Sequence, residues 1–167
     1  MAKGRQLSFL ILDANVVIDF CQSDVHVLSA ITTRVGQLFL ATPVLDEVRS
    51  LDKKKCVDLG IVLVEPEIGH VVMAEERRGA LSFEDHLCLI LARDNGWTCV
   101  TNEKLLRKEC RKERIQVVWG LELLAILYEQ GGITKNRAKQ VARAIQQANP
   151  RYITARILHD FEKRIDA

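Results

Sequence analysis

Four carboxylates stand at the ends of predicted strands or in the first turns of predicted helices. The first, Asp13, directly follows an apolar run at residues 9–12 that is short enough to form one buried strand. The other three, Glu47, Asp85 and Glu103, occur later in the chain at comparable places. Because the carboxyl ends of parallel strands and the N-termini of the following helices share one edge of a sheet, we expect the four carboxylates to converge.

Such a cluster has a defined chemistry. Neighbouring carboxylates raise one another's pKa unless a cation neutralises them. Their hard oxygen atoms suit Mg²⁺ or Mn²⁺. An ion of this kind polarises a phosphodiester and lowers the pKa of bound water. The four carboxylates therefore indicate metal-assisted hydrolysis.

Each carboxylate also has a purely structural interpretation. Asp13 can end a strand or cap a helix, and Ser82 and Asp85 have the spacing of a capping box. Asp85 has the stronger functional argument, because residues 87–92 are wholly apolar and predict a helix that is buried on most sides. A carboxylate that faces a core needs a partner, and a divalent cation is one.

Glu47 and Glu103 are less distinctive. Val44 and Val48 lie three residues before and one residue after Glu47, but Asp46 competes with it, as Glu84 competes with Asp85. Glu103 ends the sequence Thr-Asn-Glu, which is also a favourable start for a helix.

The elements that position these residues alternate between strands and helices. This alternation, with short loops, predicts an α/β fold in which helices flank a parallel sheet. Strands are predicted at residues 9–12, 37–41, 61–64, 97–101 and 115–119. Helices are predicted from residue 16, at 25–35 and 44–49, from 53 up to Gly60, and at 66–78, 83–94, 103–114, 121–130, 134–148 and 154–165.

The clearest boundary in the chain is the pair Gly131 and Gly132. We therefore expect one α/β domain at residues 1–130 and a C-terminal helical extension at 131–167. Apolar residues recur at helical spacing in the extension, so they need a surface to pack on. That surface can belong to their own domain, to a partner subunit or to both.

Composition bounds the remaining possibilities. The chain has 167 residues, of which 48% are hydrophobic, and no stretch is long and apolar enough to cross a membrane. The first six residues, MAKGRQ, lack a secretory signal, so we expect a cytoplasmic protein. Five scattered cysteines without a C-x-x-C pair predict buried free thiols rather than disulfides or zinc ligands.

Charge is distributed unevenly along the chain. Residues 1–103 hold 10 basic and 15 acidic side chains, whereas residues 104–167 hold 14 and 7. An acidic first part with a basic second part suggests a metal site beside a surface that binds anions. Five basic residues share one face of the predicted helix at 103–114, where they either contact RNA phosphates or form a solvated surface: Lys104, Arg107, Lys108, Arg111 and Lys112.

The sequence resembles the PIN-domain ribonucleases, the family that includes VapC-type toxins. The matching segments are LILDANVVID, TPVLDEV, LSFEDHLCLILA and CVTNEKLL, and together they span about residues 8–118. The resemblance identifies the domain at residues 1–130 as PIN-like and implies a Rossmann-like sheet, Mg²⁺ or Mn²⁺, and hydrolysis of RNA phosphodiester bonds. It also implies an antitoxin protein as a partner and a symmetric homodimer, for which residues 121–128 offer a further apolar surface.

The resemblance also implies a role for individual residues in these segments. Asp13, Glu47, Asp85 and Glu103 form the catalytic cluster, and the metal ligands among them are Asp13, Asp85 and Glu103. Asn15 and Thr101 are polar neighbours that orient water or carboxylates. Glu103 stands where many members of the family have Asp, so its carboxylate reaches one methylene further.

Other functions remain as alternatives. The chain can be a catalytically weak or inactive PIN module that binds RNA or protein. Haloacid-dehalogenase-like phosphatases need D-x-D, whereas this chain has Asp13-Ala14-Asn15. A response-regulator receiver needs a phosphoacceptor Asp after its third strand, and a dinucleotide-binding domain needs G-x-G-x-x-G; the sequence has neither.

Overall fold

Five parallel strands form the centre of the protein in a computed structural model that describes residues 7–167. The strands are β1 (Phe9–Leu12), β2 (Gln37–Ala41), β3 (Val62–Val64), β4 (Thr98–Val100) and β5 (Val117–Val118). Their order across the sheet is β3-β2-β1-β4-β5, and every neighbouring pair is parallel. The predicted α/β class with a Rossmann-like parallel sheet is confirmed.

Ten helices are described around this sheet. Those that follow β1 and β2 are α1 (Ala14–Ser23), α2 (His26–Arg34), α3 (Thr42–Leu45) and α4 (Lys53–Asp58). Next come α5 (Ile68–Glu76), α6 (Phe83–Asn95), α7 (Lys104–Lys112) and α8 (Gly120–Glu129). The last two are α9 (Lys135–Ala148) and α10 (Ala155–Asp166).

The central position of β1 follows from its sequence. A strand with neighbours on both sides and helices on both faces has no solvated face, so it consists of a continuous apolar run. Leu10, Ile11 and Leu12 are completely buried. The ladder continues one residue further, where the backbone N–H of Asp13 donates to the carbonyl of Val100 at 3.0 Å. Asp13 is thereby fixed at the carboxyl edge of the sheet.

The prediction of a helix at residues 44–49 is wrong. Only the single turn α3 forms, and Ala41 rather than Thr42 is its N-cap. After Leu45 the chain makes tight turns in which the N–H of Glu47 bonds to the carbonyl of Val44, three residues back. These turns bring Val48 into the core at 2% exposure. Glu47 consequently lies in an exposed turn and not on a helix.

The other predicted elements are present with shifted ends. The strands predicted at 61–64, 97–101 and 115–119 are shorter than expected, because their outer residues belong to the connections. α6 begins as predicted, since the Ser82 side chain accepts a hydrogen bond from the N–H of Asp85 at 3.1 Å. It ends at Gly96, whose φ of +68° is a left-handed conformation that glycine adopts without strain.

The C-terminal helices pack on the same chain. α9 contacts α1 and α8, and α10 contacts α8 and α9. The apolar residues that needed a surface are buried there, including Val141, Ile145, Phe161 and Ile165. The division of the chain at residue 130 stays a prediction.

Buried polar side chains join this extension to the sheet edge. Asp19 of α1 is 5% exposed and accepts hydrogen bonds from Asn102 at 3.0 Å and from Asn149 at 3.2 Å. Asn102 in turn accepts a hydrogen bond at 3.0 Å from the N–H of Gly120, the first residue of α8. One carboxylate therefore links the loop after β4 with the segment between α9 and α10.

Three expectations from composition concern the whole chain. All five cysteines are free thiols, and all except Cys21 are buried, as predicted. Within residues 7–167, no helix combines the length and the apolar character that crossing a membrane requires. The expectation about a secretory signal falls on residues 1–6, outside the described residues.

Asp19→Ala should lower the free energy of unfolding by about 2 kcal/mol, because it leaves the amides of Asn102 and Asn149 without their acceptor. Chemical denaturation followed by circular dichroism measures this change. Arg137→Ala is the matched control, since it removes an exposed ion pair between α9 and Asp24 and should cost less than about 1 kcal/mol. Equal losses in the two variants would contradict a special role for Asp19.

Candidate active site

Asp13 is a buried carboxylate at the end of the central strand. It is 3% exposed, and its Oδ2 accepts a hydrogen bond from the Thr101 hydroxyl at 2.8 Å. Burial raises the pKa of Asp13 to about 7, and the charge of Asp85 and, to a smaller extent, that of Glu47 raise it too. The hydrogen bonds from Thr101 and from the backbone of Ala14 oppose this increase without cancelling it.

Asp85 approaches Asp13 because of the way α6 packs. One turn further along this helix, the Cys88 thiol contacts the carbonyl of Leu12 at 3.7 Å, directly beside Asp13. Residues three apart share a helix face, so Asp85 lies on the face that meets the end of β1. Burial raises the pKa of Asp85, and Glu84 adds to this effect, although hydrogen bonds from Ser82 counteract it.

Glu47 completes the acidic set from the turn after β2. Partial burial of its carboxyl group raises its pKa, and the charges of Glu84 and Asp85 raise it further. Glu84 also raises the pKa of Glu47 through a side-chain hydrogen bond between the two carboxyl groups. The structure thus places Asp13, Glu47 and Asp85 close enough to influence one another, with Glu84 as an additional neighbour.

No Lys or Arg is among the groups with the largest effects on these three pKa values. Among the described groups with the largest effects, the one basic side chain is His86, which lowers the pKa of Asp85. The negative charge of the set is therefore not neutralised by the described protein groups that act on it most strongly. A cation from solution would supply that neutralisation.

Glu103 lies next to this set along the chain, but differently from the other three. It is the N-cap residue of α7, and its backbone N–H donates to the Thr101 hydroxyl oxygen at 3.0 Å. The Glu103 carboxylate is not among the groups with the largest effects on the pKa of Asp13, Glu47 or Asp85. The Thr101 hydroxyl thus bonds to both residues: it donates to the Asp13 carboxylate and accepts from the backbone N–H of Glu103.

The two predicted polar neighbours have different surroundings. Thr101 is completely buried and contacts Asp13 directly. Asn15 is half-buried on the first turn of α1, and no hydrogen bond of its side chain is present in the part of the chain that the structure describes.

The fit to a divalent cation rests on donor chemistry. Carboxylate oxygens are the ligands that Mg²⁺ and Mn²⁺ prefer. Three carboxylate side chains, those of Asp13, Glu47 and Asp85, lie at one edge of the sheet. Within residues 7–167, however, no group of three or more His, Cys, Asp or Glu side chains is arranged closely enough to hold a metal ion. The acids are therefore neighbours, but they do not form a complete set of ligands in this conformation.

Arg107 departs from the predicted basic face of α7. It is 7% exposed, and its guanidinium carbon lies 3.4 Å from the centre of the Trp119 ring, a stacked cation–π arrangement. Burial lowers the pKa of Arg107 to about 10. The other four residues of the face, Lys104, Lys108, Arg111 and Lys112, are exposed, and Lys112 forms an ion pair with Glu109 at 3.0 Å.

Sequence reasoning assigned no role to Asp19, Asn102, Glu84 and Trp119. Asp19 gave a weak signal, because it is an acid within an apolar helix start. In the sequence Glu84 competes with Asp85 for the same role, whereas in the structure both raise the pKa of Glu47. Asn102 and Trp119 gave no signal, since their partners Asp19 and Arg107 are distant in the sequence.

Comparison with known proteins supports the fold. No protein-family model and no curated protein sequence matches the chain. Among solved structures, the chain is similar to a PilT N-terminus (PIN) domain protein from the hyperthermophilic archaeon Sulfolobus solfataricus P2. The TM-score is 0.52 at 12% sequence identity, and the match covers 72% of this chain and 94% of the archaeal one. At this identity the likeness shows the fold, which is the PIN-type fold expected from the sequence.

The raised pKa of Asp13 predicts how stability depends on pH. The folded protein keeps the Asp13 proton up to about pH 7, whereas the unfolded chain releases it near the ordinary aspartate pKa of 3.8, so stability is lost as pH rises between these values. The difference between these two pKa values corresponds to about 4 kcal/mol in the free energy of unfolding. Without divalent cations, Asp13→Asn should therefore be several kcal/mol more stable than the wild type at about pH 8 and no more stable at about pH 4.

Urea denaturation at the two pH values, with a chelator present, measures this difference. Asp46→Asn is the matched control, because Asp46 is an exposed acid beside Glu47 and should change stability by less than about 0.5 kcal/mol at either pH. A gain for Asp13→Asn that is the same at both pH values would show that ionisation of Asp13 does not destabilise the fold.

Proposed function

We propose that this protein is a divalent-metal-dependent endoribonuclease that hydrolyses RNA phosphodiester bonds. The observation that supports this best is the electrostatic coupling of Asp13, Glu47 and Asp85 at the carboxyl edge of a parallel sheet. These acids come from three separate places in the chain, and burial makes their charge costly. A fold does not need such an arrangement for stability, whereas a cation site does.

Asp13 and Asp85 are the residues that we assign to hold Mg²⁺ or Mn²⁺, with Glu47 beside them. When bound, the ion polarises the phosphodiester and makes bound water more acidic. The hydroxyl of Thr101 fixes the orientation of the Asp13 carboxylate through their 2.8 Å hydrogen bond. Glu103, joined to the same hydroxyl through its backbone, is assigned as the fourth acid, and Asn15 as a residue that orients water.

The assignment to RNA cleavage also draws on the fold and on the sequence resemblance. The PIN-type fold is a nuclease-type fold, and the four acidic segments stand in the order that the resemblance requires. The alternative is an inactive PIN module that binds RNA or protein. It is favoured by one observation, namely that the carboxylates do not form a complete set of metal ligands within residues 7–167.

A VapC-type toxin role, with an antitoxin partner and a homodimer, forms the finer part of the proposal. It rests on the sequence resemblance. The structure bears on the dimer surface at residues 121–128, because Leu121, Leu124 and Leu127 are buried within their own chain. A two-fold interface would therefore use other residues, and α5 carries three exposed apolar side chains that could contribute to one: Ile68, Val72 and Met73.

Removing either central carboxylate should abolish both metal binding and cleavage. In calorimetric titrations with Mn²⁺, Asp13→Asn and Asp85→Asn should show no saturable binding, because each loses a charged ligand. The same variants should cleave RNA at least about a hundredfold more slowly than the wild type. Asp46→Asn is the control and should retain both properties. Wild-type Mn²⁺ affinity in Asp13→Asn would overturn the assignment, and no cleavage by the wild type with either metal would favour the inactive module.

The exposed basic residues of α7 should contact RNA phosphates. Each lost contact to a single strand lowers the salt slope of log affinity by about 0.7, so Lys108→Ala/Arg111→Ala should lower it by about 1.4. Titration of labelled single-stranded RNA in chelator at several salt concentrations measures the slope. Lys54→Ala on α4, an exposed lysine on another helix, should leave it unchanged. An unchanged slope in the double variant would make this face a solvated surface only.

A further inference from the structure

We propose that a cavity beside the acids binds a phosphate group of the RNA. It has a volume of about 150 Å³ and lies between the loop at residues 77–81 and helices α6 and α7. The residues that matter for the argument line it together: Arg77, Arg78, His86, Leu105 and Glu109. This inference rests on the proposed function, whose substrate would supply the phosphate.

Buried donors without partners line this cavity. His86 is only 6% exposed, and neither of its ring nitrogens has a hydrogen-bond partner within residues 7–167. The Nη1 atom of Arg77 is likewise buried and unpartnered, although Nη2 of the same guanidinium donates to Glu113 at 2.7 Å. Buried polar groups are nearly always paired, so two such side chains at one cavity indicate a polar occupant.

Positive charge at the cavity comes from Arg77 and Arg78, while Asp85, Glu109 and Glu113 are the carboxylates that act on the pKa of His86. Glu109 is the only acidic side chain among the described residues that line it, and its carboxylate already pairs with Lys112 at 3.0 Å. Arg77 is held in place by Glu113, while Arg78 forms no ion pair in the described part of the chain. A guanidinium presents a planar fork of N–H groups that matches phosphate oxygens. Phosphate is therefore the occupant whose chemistry fits.

Size and position agree with this assignment. A volume of about 150 Å³ is below the range of pockets that hold whole drug-sized ligands, so it suits one phosphate group rather than a complete nucleotide. His86 directly follows Asp85 in α6, and the charge of Asp85 is among those that act on the pKa of His86. The cavity thus adjoins the acidic set. A strand cleaved at the acids would place a neighbouring phosphate here.

The test measures binding without cleavage. The probes are inorganic phosphate and a short single-stranded DNA oligonucleotide, which lacks the 2′-hydroxyl. Both are added in the presence of a chelator. NMR signals of the arginine and histidine side-chain nitrogens of the protein report binding. Wild type should bind both probes. Arg77→Met and His86→Leu should each weaken binding at least about tenfold, the loss expected for a hydrogen bond to a charged group.

Arg93→Met is the matched control. Arg93 lies 3.8 Å from the same Glu113 but does not line the cavity, so this variant should bind within about twofold of wild type. Arg77→Lys preserves the charge beside Glu113 and loses the fork, which keeps the test available if Arg77→Met does not fold. It should bind more weakly than wild type.

Each outcome decides the proposal. Unchanged affinity in Arg77→Met and His86→Leu, or no binding of either probe by wild type, overturns it. Binding of the oligonucleotide that survives both substitutions while phosphate binding is lost also overturns it, because the site would then take free phosphate only. If the wild type binds both probes through these residues but never cleaves RNA, the phosphate site stands and the proposed function fails.

Discussion

The organisation of this protein depends on a carboxylate that is buried without a basic partner. Asp13 continues the central strand, because its N–H bonds to Val100 of the neighbouring strand, and its side chain is held by Thr101. Both contacts require β1 and β4 to run parallel and adjacent. The sheet therefore fixes a negative charge in a place where the protein alone does not stabilise it, and its pKa rises to about 7.

Two consecutive residues after β4 support that position in different ways. Thr101 contacts Asp13, while Asn102 joins Asp19 of α1 to the start of α8. Asp19 also accepts a hydrogen bond from Asn149, so the C-terminal helices are connected to the same edge. Burial raises the pKa of Asp19 to about 6, although both amide donors lower it. The supporting network and the acidic set thus meet at one short loop.

Charge is separated in space as well as in sequence. The acidic residues gather at the ends of β1 and β2 and at the start of α6, while exposed basic residues occupy α7. Arg77 and Arg78 add positive charge at the cavity that His86 of α6 lines, through a loop that belongs to the acidic first part of the chain. A cation at the acids with a nucleic-acid strand across the basic groups would neutralise both.

The sequence by itself determined the fold class and most of the elements. The apolar run of β1, the Ser82 cap and Gly96 specify local structure through burial, hydrogen bonding and backbone conformation, all of which are short-range properties. For the same reason the position of Asp13 at a strand end could be predicted. The place of Asp85 in a buried helix also followed, since residues 87–92 have no polar side chain to expose.

Only the tertiary structure decided which side chains meet. The turn that carries Glu47 results from the burial of Val48, which overrides the local preference for helix. Arg107 has the sequence spacing of an exposed face, yet it stacks on Trp119 from the next strand–helix connection. Asp19, Asn102 and Asn149 come together from three distant segments. Such contacts depend on how the helices pack against the sheet, and a pattern within one segment contains no information about its partner.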